Sequence, residues 1–193
     1  IGPGVDDTDI FSKTKYNSFL TENVDGLRNV QTPFRNKAEN LGAILEGNRV
    51  YILTSTRTAS ASELIINGLK PYMDVFLIGD VTTGKNVGSV PFQDDQNSEN
   101  TYGILPIVTQ SFNSQDESDY TEGFQPNLIA RESSERLLPF GDVNEQLLRK
   151  AIEQITGTPS GARVQILDRT DLGSTLDLKV RAGKMIEEIM IEK

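Results

Sequence analysis

The chain has 193 residues, of which 36% are hydrophobic and 24% are charged, and its formal net charge is −9. This length provides for one domain with a substantial core, and the negative charge argues against a nucleic-acid-binding surface, which needs clustered Lys and Arg. The sequence contains neither Cys nor His, so disulfides are ruled out and most designs of zinc site are removed. We therefore expect no metal and no other cofactor. No run approaches the roughly 18 apolar residues of a membrane helix, so the chain is not expected to be transmembrane.

The first 48 residues show no single periodic pattern. Short apolar pieces at 10–11 and 18–20 suggest extended segments among turn residues. The chain starts at Ile1, with no initiator Met and no signal peptide. We therefore expect the natural N-terminus, and any targeting segment with it, to lie outside this chain.

A strand, a helix and a second strand are predicted next, in that order. The β-rich run at 49–54 and the apolar run at 75–79 predict two buried strands. The segment between them, 60–73, has helical character, and Pro71 is expected to end or bend the helix. This order predicts a βαβ unit, in which a right-handed crossover joins two parallel strands.

Two extended runs, 88–92 and 101–112, are predicted on either side of a polar loop at 93–100. Pro106 indicates that the second run is an edge strand or is bulged, because proline cannot donate to a ladder of hydrogen bonds. A turn is predicted at 123–126, where Gly and Pro lie close together.

The remaining predicted elements lie toward the C-terminus. An apolar pair at 128–129 follows the turn, and residues 144–155 fit an amphipathic helix that Gly157 is placed to cap. Residues 158–161 resemble a linker. Beyond the linker, two β-like runs and one helix are predicted at 164–167, 176–180 and 184–192.

Ser60 lies in the segment 58–63, Thr-Ala-Ser-Ala-Ser-Glu, at the start of the predicted helix. Ser60 and Glu63 fit a capping box, in which two side chains satisfy the free amides of a helix N-terminus. A catalytic role is compatible with this interpretation. The first turn of a helix offers free N–H groups and a positive dipole end, which can stabilise a developing oxyanion.

Lys85 follows Ser60 by 25 residues and lies in a stretch, 79–86, that nearly matches the phosphate-binding pattern G-x-x-x-x-G-K-[ST]. Asn86 stands where that pattern needs a hydroxyl for magnesium, and the residues after it are a poor helix start. Without His, these residues cannot assemble a Ser-His-Asp triad. A serine activated by a neutral lysine is the remaining well-known arrangement.

Two further motif matches are attributed to chance. Residues 12–15, Ser-Lys-Thr-Lys, fit the S-x-x-K pattern of penicillin-recognising enzymes, but the companion S-D-N and K-T-G elements are missing. The acidic stretch 94–99 resembles a calcium loop, but it lacks the glycine and the glutamate that such a loop requires.

Taken together, residues 49–130 resemble the C-terminal processing peptidases, also called tail-specific proteases. The resemblance rests on the Ser60 segment between two strands and on Thr-Gly-Lys-Asn-Val-Gly-Ser at 83–89. Residues 120–127 resemble the family's later Gly-x-x-Pro-Asp stretch, and Gly141-Asp142 resembles the end of its catalytic domain.

The resemblance implies a serine endopeptidase that cleaves near the C-terminus of protein substrates with unstructured tails, through an acyl-enzyme. Ser60 falls on the family's nucleophile and Lys85 on its general base, and the Ala61 amide is a candidate oxyanion donor. A lysine in water has a pKa near 10.4, so burial against the strand at 75–78 is expected to favour the neutral amine. Ser89 stands where some members have a glutamine that orients the lysine, which makes it a possible orienting residue.

The resemblance also implies an α/β fold with a ClpP/crotonase-like core of βαβ units. The family's upstream oxyanion segment and its PDZ domain have no counterpart in these residues. We therefore expect a truncated catalytic domain at 1–157, followed at 158–193 by a linker and a small extension of unknown role. The family implies a periplasmic or cell-envelope location. The oligomeric state is left open.

A second function is compatible with the same fold. Arg57 stands where the family commonly has glycine, and Ser89 replaces the orienting glutamine. The alternative is a catalytically inactive member of the family that binds peptides or serves as a scaffold.

Overall fold

The structure is a computed structural model, and it describes residues 4–25, 27–38, 42, 45–97 and 99–161. The elements predicted at 164–167, 176–180 and 184–192 lie outside the described residues, as does most of the predicted C-terminal extension. Within the described part of the chain, no helix is long and apolar enough to cross a membrane.

The described residues form nine strands and three α-helices. In chain order the strands are β1 (Ile10–Tyr16), β2 (Val30–Pro33), β3 (Arg49–Thr54), β4 (Asp74–Gly79), β5 (Val87–Ser89), β6 (Phe92–Gln93), β7 (Gly103–Ile104), β8 (Ile107–Phe112) and β9 (Leu128–Ile129). The helices are α1 (Ser18–Asn23), α2 (Ala61–Leu69) and α3 (Gln146–Thr156). Single 3-10 turns occur at Glu46–Asn48 and Glu132–Ser134.

The first sheet is parallel and has the strand order β3-β4-β9. Strands β3 and β4 are joined through α2 and pair in parallel from Arg49–Asp74 to Thr54–Gly79, which confirms the predicted βαβ unit. Helix α2 ends at Leu69, two residues before Pro71, as expected for a residue that cannot continue a helix. The predicted α/β class is therefore confirmed.

The two faces of the parallel sheet carry separate cores. Leu77 and Ile78 are neighbours on β4, so their side chains point to opposite faces. Leu77 packs in one buried cluster with Ile66 of α2, Tyr120 and Phe124. On the other face, Ile78 packs with Ala130 and with Leu147 and Ala151 of α3. Covering both faces explains why β4 is almost wholly apolar.

The second sheet is antiparallel, with the strand order β2-β1-β8-β5. Strand β8 lies in its interior, so the prediction that Pro106 marks an edge strand is wrong. Pro106 lies just before β8, where its missing N–H removes no ladder bond, and its carbonyl accepts from Val90 N at 3.4 Å. The alternative prediction of a bulge is confirmed, since the register of β5 against β8 shifts between Gly88 and Ser89.

The N-terminal region departs most from the sequence-based expectations. Residues 18–20 form the start of α1 and are not extended. The reason is a local cap, because the Asn17 side chain accepts from Leu20 N at 2.9 Å and so stabilises a helix start. At the other end of the described region the prediction holds. Gly157 has φ 66 in the left-handed region and caps α3.

Tyr120 gives the stability of this fold a predictable alkaline limit. Its side chain is buried, and its hydroxyl has no hydrogen-bond partner within the described part of the chain. Burial raises the pKa of Tyr120 to about 12, and the negative charge of Glu63 adds to the rise. The folded state therefore resists deprotonation of Tyr120, whereas the unfolded chain loses this proton near pH 10.

We expect the contribution of Tyr120 to stability to be complete below pH 10 and to be lost between pH 10 and 12. The free energy of unfolding should fall by about 1.4 kcal/mol per pH unit in that window. Tyr120→Phe should remove this slope and have little effect at pH 7, because it deletes an unpaired hydroxyl. Urea unfolding at a series of pH values measures both. Tyr102→Phe is the control, since Tyr102 is exposed. An identical slope in Tyr120→Phe would contradict the assignment.

Candidate active site

Ser60 is the N-cap of α2 and lies at the end of the turn that leads from β3 into the helix. Its backbone has φ 56 and ψ −112, and a positive φ is uncommon for a residue with a Cβ atom. Such strain persists only where the surroundings impose it, and it concentrates at functional sites. The side chain of Ser60 is exposed. An exposed serine on a strained strand-to-helix turn is the arrangement that presents the nucleophile in α/β-hydrolases.

The carboxylate of Glu63 holds the Ser60 turn and the Lys85 loop together. Glu63 is fully buried, and its Oε2 atom accepts from Ser60 N at 3.0 Å and from Lys85 N at 2.8 Å. Its Oε1 atom accepts from Gly84 N and from Thr82 Oγ1, both at 2.6 Å. The capping interaction predicted between Glu63 and the Ser60 amide is therefore present. The same carboxylate also binds a loop about twenty residues further along the chain, which the sequence did not indicate.

The structure brings the backbones of Ser60 and Lys85 together, because both amides donate to one oxygen atom. It does not join their side chains. Both are exposed, and within the described residues no hydrogen bond links the Lys85 amine to the Ser60 hydroxyl. The expected burial of Lys85 is absent from this structure, in which the lysine amine faces solvent.

A second loop, formed by residues 120–124, supports the Lys85 loop from the side. Thr82 N donates to Phe124 O at 3.2 Å, and Phe124 N donates to Thr82 Oγ1 at 2.7 Å. Two glycines allow this backbone contact. Gly84 has φ 87, and a Cβ atom there would lie 2.1 Å from Thr121 O. Gly123 has φ 78, and its Cβ would lie 2.0 Å from Thr82 O. The structure places the turn at 120–123, where Gly123 N donates to Tyr120 O at 2.9 Å, so it begins three residues before the turn predicted at 123–126.

Asn86 anchors the other side of Lys85. It is buried, and its Nδ2 atom donates to Ser118 O at 2.8 Å and to Ser118 Oγ at 3.1 Å. Ser118 Oγ in turn donates to Ser111 O on β8 at 2.6 Å. The alternative interpretation of this stretch as a phosphate-binding loop fails, because strand β5 follows it where a helix N-terminus would be required.

Ala61 and Ser89 are the two remaining predicted site residues. Ala61 is the first residue of α2, and its amide donates no hydrogen bond within the described residues, so it is available to an oxyanion. Ser89 is exposed at the end of β5, and its hydroxyl makes no hydrogen bond to Lys85 in the part of the chain that the structure describes. The oxyanion role of Ala61 and the orienting role of Ser89 stay predictions.

The comparisons with known proteins agree with the class of site. The chain matches the model of peptidase family S41 over residues 9–129, and it therefore belongs to that family. No functionally curated protein matches it.

Two solved structures are similar to the chain. A putative S41 protease from Bacteroides fragilis is 33% identical, with a TM-score of 0.61 over 77% of this chain and 36% of that protein. The photosystem II D1 C-terminal processing protease is 20% identical, with a TM-score of 0.37 over 47% of this chain and 22% of that protein. The chain thus spans about a third of the length of the B. fragilis protein.

We expect Glu63→Gln to destabilise the protein by about 2–4 kcal/mol, because hydrogen bonds to charged groups contribute about 1.5–3 kcal/mol each. The amide group of Gln would replace one carboxylate oxygen, and each oxygen accepts two hydrogen bonds. In either rotamer of the new Gln side chain, two of the four donors would then face its NH2 group, which is itself a donor. Glu122→Gln is the matched control, since Glu122 is exposed in the neighbouring loop. Equal urea midpoints for the two variants would show that Glu63 does not hold the site.

Gly84→Ala should be more destabilising than Gly141→Ala, although both glycines have nearly the same φ, 87 and 85. Alanine at either position carries the cost of a positive φ, about 1–2 kcal/mol. Only at Gly84 does the new Cβ also meet backbone, since nothing lies within 4 Å of the corresponding position at Gly141. Differential scanning calorimetry of the two variants measures the difference. Equal melting temperatures would mean that the loops at 82–84 and 121–123 can separate at little cost.

Proposed function

We propose that this chain contains the catalytic dyad of a serine endopeptidase, with Ser60 as nucleophile and Lys85 as general base. The observation that carries the proposal is the shared Glu63 carboxylate, which binds the Ser60 and Lys85 amides with the same oxygen atom. Membership of a peptidase family supports the reaction class. The activity of the whole protein is part of the proposal, because the chain spans about a third of its solved relative.

The proposed reaction proceeds through an acyl-enzyme. Ser60 Oγ attacks the scissile carbonyl carbon while its proton passes to the uncharged Lys85 Nζ. The Ala61 amide at the positive end of α2 stabilises the resulting oxyanion. Lys85 then returns the proton to the leaving amine, and the C–N bond breaks. Water then attacks the ester carbonyl carbon while Lys85 takes its proton. The C–O bond to Ser60 breaks, Lys85 returns the proton to Ser60 Oγ, and the acid product leaves.

The proposed reaction requires the exposed Lys85 amine to be uncharged. Desolvation disfavours the ammonium form of a lysine. A peptide bound across the site would exclude water from Lys85 and so favour the uncharged amine that the reaction needs. We therefore propose that substrate binding completes the dyad and closes the remaining gap between the two side chains.

The finer assignments also belong to the proposal. The substrates are proteins with unstructured C-terminal tails, and the location is the periplasm or cell envelope. Residues 1–157 form part of the peptidase domain, and residues 158–193 are a separate extension.

A second candidate function is a non-catalytic peptide-binding or scaffolding member of the family. The observation that favours it is the solvent-facing Lys85 amine, which makes no hydrogen bond to the Ser60 hydroxyl in the described structure. Such a protein would retain the Glu63 network as a structural brace.

Ser60→Ala and Lys85→Ala in the full-length protein should each reduce cleavage of an unstructured C-terminal tail to background, because each removes one partner of the proton transfer. Release of a fluorescent peptide fragment measures this. Ser62→Ala and Lys37→Ala are the matched controls, since both residues are exposed and neither belongs to the proposed dyad. Full activity in Ser60→Ala or Lys85→Ala would refute the assignments.

A serine-reactive fluorophosphonate distinguishes the two candidate functions. The peptidase should be labelled at Ser60, and labelling should disappear in Lys85→Ala, which lacks the base. A protein that neither cleaves nor takes the label is the non-catalytic form.

A further inference from the structure

Strand β5 begins two residues after Lys85 and has one free edge. It is the last strand in the order β2-β1-β8-β5, and no described strand pairs with its other side. Asn86 O accepts from Ser111 N, and Val90 N donates to Pro106 O, so both residues bond toward the β8 side. Because bonding directions alternate along an antiparallel strand, the N–H and C=O groups of Val87 face the free edge. Unpaired N–H and C=O groups at a strand edge are a template for another extended chain.

An exposed apolar surface lies on the hairpin that follows β5 along the chain. Strands β6 and β7 form a two-stranded hairpin that pairs with no other described strand. Phe92 and Ile104 are cross-strand partners, so their side chains lie on one face. With Tyr102 they line a shallow depression, and we call these three residues the hairpin face. Their exposed fractions are 49%, 64% and 54% for Phe92, Ile104 and Tyr102. Clustered exposure of this kind marks an interaction site.

The lining of the same depression also includes an acidic residue. Asp94 lines it beside the hairpin face, and Asp95 and Glu99 lie in the adjoining loop. Between Lys85 and Arg131 the sequence contains seven acidic residues and no Lys or Arg. No basic residue in this stretch of sequence balances these carboxylates, so the surface is complementary to a cationic side chain.

We propose that the β5 edge and the hairpin face together form the substrate-docking surface of the site, and that the occupant is an extended peptide with apolar side chains followed by Lys or Arg. This inference rests on the proposed function, because it adds a substrate class to the same site. The peptide adds a strand to β5 beside Lys85, packs its apolar side chains on the hairpin face and places its basic residue at Asp94. Phe92 lies seven positions after Lys85, a reach of at most about 23 Å, so a peptide of some eight residues spans the surface.

The test measures peptide binding in full-length protein that carries Ser60→Ala, which prevents turnover. The probe is a fluorescein-labelled 16-residue peptide of alternating Leu and Ser that ends in two Lys. Two comparison peptides replace Leu by Ser or Lys by Glu, and both should bind more weakly.

Adding Phe92→Ser and Ile104→Ser should raise the Kd of the parent peptide about tenfold, because two large apolar contacts are lost. Asp94→Asn should weaken binding about threefold at low salt, with the difference disappearing at high salt.

Leu137→Ser with Phe140→Ser is the control, since these side chains are exposed elsewhere on the chain, at 62% and 103%. The control should leave the Kd unchanged. In an added strand, every second peptide amide donates to β5. N-methylation of one alternate set of amides should therefore weaken binding, and N-methylation of the other set should not.

Equal binding by the hairpin variant and its parent overturns the inference. So does a hairpin variant that converts a dimer to a monomer in sedimentation while peptide binding persists, because the face would then join two copies. Failure of the proposed function is distinct from both outcomes. In that case protein with an intact Ser60 does not cleave the peptide, while binding still depends on the hairpin face.

Discussion

The buried carboxylate of Glu63 is the constraint on which the site depends. A charge at zero exposure is tolerated only when hydrogen bonds replace its water, and Glu63 accepts four of them. The four donors come from two segments, the start of α2 and the loop after β4. The hydrogen bonds from both segments therefore offset the desolvation cost of the buried charge. If either segment shifted, the carboxylate would lose some of these hydrogen bonds.

Three other features of the fold hold the Ser60 turn and the Lys85 loop next to Glu63. The parallel pair β3 and β4 brings the two segments to the same edge of a sheet, because the carboxyl ends of parallel strands lie together. Gly84 and Gly123 allow two loops to pack backbone against backbone beside the carboxylate. Asn86 fastens the start of β5 to β8 through Ser118. The positive φ at Ser60 is then held by its surroundings.

One long stretch of the chain carries acidic side chains and no basic ones. The 45 residues that follow Lys85 contain seven acidic side chains and no Lys or Arg. The apolar hairpin face lies within this acidic stretch, on a hairpin that no other described strand supports. A two-stranded hairpin is marginally stable alone. A bound chain that pairs with β5 and covers the hairpin would supply apolar burial where the described residues provide little.

The sequence by itself determined the elements whose signals are local: the apolar runs of β3 and β4, the capped start of α2 at Ser60, and α3 with its Gly157 cap. Its motifs and the absence of His also made Ser60 and Lys85 the predicted nucleophile and base, which stay a prediction. The prediction of an extended segment at 18–20 missed one local signal, the side chain of Asn17, which caps a helix there. Only the tertiary structure decided that Glu63 reaches Lys85 and that β8 is interior. Each depends on contacts between segments far apart in the chain, and no sequence period encodes such contacts.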